Sequence, residues 1–105
     1  MAQFDIHLNS DERTRERTPY LLDVQSELLS DLATRIVVPL RPVTEEEPWM
    51  ISRLHPVITH GEKSYAAVVS ELAGIPVGLL SGRVGDAGAQ RADIIAAIDL
   101  LITGF

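Results

Sequence analysis

The chain has 105 residues, with 9 basic side chains against 15 acidic ones for a formal charge of −6, and it contains no cysteine. That length suits one domain around one modest core, and the missing cysteines exclude disulfides and thiolate metal sites. The acidic balance argues against phosphate-driven binding of nucleic acid by this chain alone, and two Phe, two Tyr and one Trp offer little material for base stacking.

The opening stretch, MAQFDIHLNSDERTRERT, carries no long apolar run, no small-residue cleavage site and no twin-arginine pair, which predicts no secretory signal. No apolar run approaches the roughly 20 residues of a membrane span. The expected location is the cytoplasm. Within this stretch Phe4 to Leu8 alternates apolar and polar residues, predicting a strand with Phe4, Ile6 and Leu8 inward and His7 outward. The charged segment NSDERTRERTP reads as a loop.

YLLDVQSELL begins as a strand through about Val24, and Ser30-Asp31 turns the chain. Thr34 to Leu40 is rich in β-branched residues, which suit a pleated, half-buried surface. Pro39 and Pro42 cannot donate to a ladder, so this strand is expected to end there or to lie at a sheet edge. TEEEP is a solvated connection, and the lone Trp49 beside it reads as an anchor on the core. His55 to His60 and Lys63 to Val69 form two strands around Gly61-Glu62. Pro76 to Ser81 reads as one more short strand.

After GRVGDAG the period changes. Asp86 is a candidate N-cap for the one long helical pattern, AGAQRADIIAAIDLLIT, and Gly104 stands where a C-cap glycine belongs. At about 100° per residue, Ile94, Ile95, Ile98, Leu101, Ile102 and Phe105 share an arc roughly 120° wide. That arc predicts a buried face. Asp99 and Thr103, four apart, lie side by side outside it, as do Ala96 and Leu100. The pattern as a whole is mainly β with one C-terminal helix, in a single domain over 1–105: a barrel over about 1–82 and a helix over about 86–103.

His7, His55 and His60 stand at no ligand-like spacing and beside no convergent carboxylate cluster, so no metal site is expected, and no cofactor. Asp23 and Ser26 have no histidine or activating pattern beside them, so no catalytic role is assigned to them. Arg13, Arg15 and Arg17 are interleaved with Glu12 and Glu16; a solvated loop accounts for them, and an RNA-phosphate role is the alternative.

The pieces YLLDVQSELL, TRIVVPL, LHPVI, IPVGLLS and IIAAIDLLITGF occur in the order and spacing of the CcdB toxins. Over nearly its whole length the sequence resembles that family. The resemblance implies an SH3-like barrel of the CcdB/MazF type with a C-terminal helix, assembled as a homodimer. It implies the toxin of a type II toxin–antitoxin pair, a poison of DNA gyrase that traps the cleaved-DNA complex and performs no catalysis. By position, the surface that meets the gyrase A subunit falls on Thr103, Gly104 and Phe105, supported by Asp99, Ile102, Leu28 and Leu29. Arg13, Arg15 and Arg17 become candidates for a CcdA-like antitoxin, with which the toxin would co-repress its own operon; DNA is met only through the antitoxin or gyrase. Where the family carries Trp-Gly-Ile this chain carries Thr103-Gly104-Phe105, and a threonine has no π-face to stack on a cation. The alternatives in other classes are a MazF-like endoribonuclease and a non-toxic antitoxin-binding protein.

Overall fold

The computed structural model describes residues 2–44 and 52–104. Trp49 and Phe105 lie outside them. Seven strands, β1 (Asp5–Asn9), β2 (Tyr20–Asp23), β3 (Thr34–Pro42), β4 (Val57–His60), β5 (Lys63–Ala67), β6 (Ala73–Pro76) and β7 (Leu80–Asp86), are followed by helix α1 (Arg91–Thr103). All pair antiparallel in one sheet of order β4-β5-β3-β2-β1-β7, with β6 beside β3.

The sheet curls into a half-barrel whose two ends meet. His60, at the end of β4, stacks edge-on against Tyr20 at 4.8 Å between ring centroids. A β-carbon at Gly85 of β7 would stand 2.8 Å from the His60 ring, so the close approach of β4 and β7 requires a glycine there. Ile6, Leu22, Val38, Leu40 and Ile58 fill the concave side, and Ile94 and Ala97 of α1 close it from above. The hairpin through Gly61-Glu62 forms as the sequence predicts, with unbroken register from His60 opposite Lys63 to Val57 opposite Ala66.

Several expectations are corrected. Leu8 is 45% exposed while His7 is buried, because the pairing of β1 with β7 shifts between Ile6 and His7 and again before Asn9. Each shift breaks the strict alternation of faces. His7 Nδ1 accordingly pairs with the Ser81 carbonyl at 2.8 Å. β3 ends at Pro42, one of the two expected stops, but it passes through Pro39 and lies in the middle of the sheet and not at an edge. On the flank that Pro39 faces, β6 pairs only as far as Val37 and β5 starts at Leu40, so the missing donor falls in the gap between two partners. The Pro39 carbonyl still accepts from Val68 N–H at 2.9 Å.

The strand expected over Pro76 to Ser81 is instead a 3-10 turn, Val77–Leu79, joining β6 to β7. GRVGD belongs to β7 and pairs with β1, so the strands run past the expected boundary near 82 to Asp86. The Asp86 carboxylate does not cap α1: it accepts from the N–H of Gly88, two residues on, where a 3-10 turn, Gly88–Gln90, begins, and α1 starts at Arg91, five residues past the expected cap. The helical stripe is also longer than the core beneath it. Ile94 is fully buried and Ile95 and Ile98 are half-buried, but Leu101 and Ile102 are exposed, correcting the expected six-residue buried face.

Candidate functional site

The tip of α1 stands out from the barrel. The helix packs on the 3-10 turn Val69–Glu71 and on the Gly88–Gln90 turn that leads into it, and its fully buried residues, Ile94 and Ala97, lie in its first two turns. Ile102 is 70% exposed, and Asp99, Thr103 and Gly104 are exposed with it. Thr103 Oγ1 donates to the Asp99 carbonyl at 2.7 Å, so the pair predicted to be neighbours is bonded through the helix's own backbone. Gly104 adopts a left-handed conformation at φ 82° and its N–H closes the helix on Leu100 O at 3.1 Å. A side chain there would be strained.

A second protrusion follows β2. The 3-10 turn Glu27–Leu29 contains no buried residue, and Leu28 is 94% and Leu29 50% exposed. Two leucines so placed are an apolar feature with no role in this chain's own core. The turn is not among the main packing partners of α1. Within one chain, then, the helix tip and the two leucines are separate exposed apolar elements, and Phe105, the remaining residue of the predicted surface, lies outside the described residues.

Beneath the second protrusion is a buried ion pair that sequence reasoning missed. Arg35 of β3 and Asp23 of β2 are both withdrawn from solvent. Arg35 Nε donates to Asp23 Oδ2 at 2.8 Å and Nη2 to Asp23 Oδ1 at 3.0 Å, with a further bond from Nη2 to Gln25 O at 3.2 Å. The only signal in the sequence is a charged residue opening a β-branched run. Two-point pairing of this kind is geometrically demanding, and it fixes where the chain leaves β2.

Arg13, Arg15 and Arg17 lie on the exposed turns between β1 and β2. Arg13 makes a solvent-exposed 3.5 Å ion pair with Asp11, whose carboxyl is held below the usual range chiefly by the Arg13 backbone N–H. A cleft of about 560 Å³ opens beside this loop, with Leu21, Pro39, Ile75 and Leu79 along it and Arg13 and Arg41 at its rim. Arg15 and Arg17 do not line it. Arg41 is engaged by Glu71 through two 2.8 Å bonds, which leaves it a poor free cation for a phosphate.

The histidines serve local structure. His55 Nε2 pairs with Ser70 Oγ at 2.8 Å, and His7 and His60 belong to the contacts described above. Among the described residues, no group of three His or carboxylate side chains converges as metal ligands, and no helix is long and apolar enough to cross a membrane.

Comparison with known proteins places this geometry. The fold superposes on an endoribonuclease solved in complex with its cognate antitoxin from a mycobacterial species, with a TM-score of 0.75 at 10% identity, covering 98% of this chain and 95% of that one. It likewise matches the Mycobacterium tuberculosis toxin MazF-mt6, with a TM-score of 0.70 at 15% identity over 94% of this chain and 96% of that one. At such identities the likeness is one of fold. The model of the CcdB protein family, by contrast, matches residues 3–104, nearly the whole chain. The chain belongs to the CcdB family, the toxins of toxin–antitoxin systems.

Proposed function

We propose that this protein poisons DNA gyrase as a homodimer, the tips of its two α1 helices entering the A subunit and trapping the cleaved-DNA complex. The observation that carries this reading is the exposed end of α1, where Ile102 gains nothing from the protein's own core. An unsupported apolar helix end is poor for stability, but it suits insertion between partner surfaces. A two-fold dimer would present it twice. The surface comprises Asp99, Ile102, Thr103, Gly104 and Phe105, with Leu28 and Leu29 as its second arm.

A CcdA-like antitoxin neutralises the toxin, with Arg13, Arg15 and Arg17 facing its acidic side chains. The pair represses its own operon, the antitoxin supplying the DNA contacts. Thr103 gives up the stacking available to a tryptophan, so its contribution rests on shape and not on a cation–π contact. The poison performs no catalysis in this reading.

The test is a supercoiling and cleavage assay with purified gyrase, comparing the intact chain with one lacking residues 103–105. Accumulation of linear DNA with the intact chain alone supports the proposal. Equal cleavage with the shortened chain sinks it, and RNA cleavage by a protein to which gyrase is indifferent would favour the endoribonuclease alternative.

A further inference from the structure

We infer that Gln25 is a positioning residue for the Leu28 and Leu29 arm of the proposed gyrase-binding surface. This deepens the gyrase reading and rests on it. The 3-10 turn Glu27–Leu29 buries none of its residues, so apolar packing does not hold it in place. Its conformation depends on polar bonds at its base. Ser26 Oγ accepts from Leu28 N–H at 3.2 Å, and Gln25 Nε2 donates to the Leu29 carbonyl at 3.0 Å.

Every other polar group of Gln25 is tied to the barrel. Its side-chain oxygen accepts from Ile36 N–H of β3 at 3.0 Å, its N–H donates to Asp23 Oδ1 at 3.0 Å, and its carbonyl accepts from Arg35 Nη2 at 3.2 Å. Gln25 itself is buried. The position needs one side chain with a donor at one end and an acceptor at the other, at the length of glutamine. The buried Asp23 and Arg35 pair sets the main chain of Gln25, and the Gln25 amide passes that constraint to Leu29. Ordering the turn before the partner arrives lowers the entropy lost on binding.

The test uses two full-length variants. Gln25→Met keeps the length and loses both side-chain bonds; Gln25→Glu, studied near pH 8 where a carboxylate is ionised, keeps the acceptor for Ile36 and loses the donor to Leu29. Thermal melting establishes that each is folded, so one variant suffices if the other is not. Amide hydrogen exchange at Leu28, Leu29 and Ser30 is expected to quicken by about fivefold to tenfold, with the amides of β3 and β5 unchanged. The concentration needed to poison gyrase is expected to rise by a similar factor.

A folded variant with unaltered exchange at these three amides, or with unaltered potency, overturns the inference while leaving the gyrase reading in place. If the unsubstituted protein does not act on gyrase, the gyrase reading falls instead, and exchange alone decides whether Gln25 orders the turn.

Discussion

The two halves of α1 are built from the same kinds of residue and end in different places. Ile94 and Ala97 are sealed against the barrel, whereas Leu101 and Ile102 reach solvent. The segment after β2 repeats the division at closer quarters: Asp23 and Gln25 are buried, and Leu28 and Leu29 are exposed. In each case an anchored base carries a displayed apolar end. Stability should therefore depend on the bases and partner binding on the ends.

Substitutions can break that separation. The largest loss of stability is expected from Arg35→Ala, which strands the Asp23 carboxylate in the interior and should cost about 3–5 kcal/mol. Denaturant unfolding measures it, and a loss comparable to that of an exposed ion pair would show that the base of the second protrusion is not anchored as described. Ile94→Ala should cost about 2–5 kcal/mol by opening a cavity under the first half of α1. The same measurement checks it, and a negligible loss would mean that α1 is not held by this half.

Acid sharpens the comparison on a smaller scale. The two bonds from Arg41 hold the Glu71 carboxyl below its ordinary range against the opposing effect of burial. For Asp5, burial pushes the carboxyl up, but bonds from Arg83 and from the Ala2 N–H bring it below its usual value. Both groups bind fewer protons when folded, so their stabilisation is present above the ordinary carboxylate value near 4 and disappears as pH falls below it through the folded values. Thermal midpoints should drop between about pH 5 and pH 2, and Arg41→Ala should flatten part of that dependence. The smallest effect belongs to the displayed end: Ile102→Ala should change stability by no more than about 0.5 kcal/mol.

Some of this was legible in the residues. The strand opening at Tyr20, the β-branched run at Thr34, the Gly61-Glu62 turn and the helical period up to Gly104 are local signals, and each produced an element of the expected kind. The Pro76 strand, the start of α1 and the faces of β1 were misread because distant pairing decided them. GRVGD has no strong strand propensity and becomes strand only because β1 lies beside it, and the shifts that bury His7 and expose Leu8 belong to that same pairing. The positions of the candidate surface came from family likeness. What periodicity could not supply was which half of the α1 stripe would find a core beneath it. The Gln25 linkage was hidden for a related reason: its bonds run to Asp23, Arg35, Ile36 and Leu29, a set of partners that only the folded chain assembles.

The central claim, that the exposed end of α1 is a binding element and not a remnant of the core, is tested most directly by titrating purified gyrase A subunit with the protein and with Ile102→Asp in a calorimeter. The account predicts that the unsubstituted protein binds and that Ile102→Asp loses at least about tenfold in affinity, as a buried interface anchor does, while its thermal midpoint is unchanged. Binding of equal strength by Ile102→Asp would contradict it.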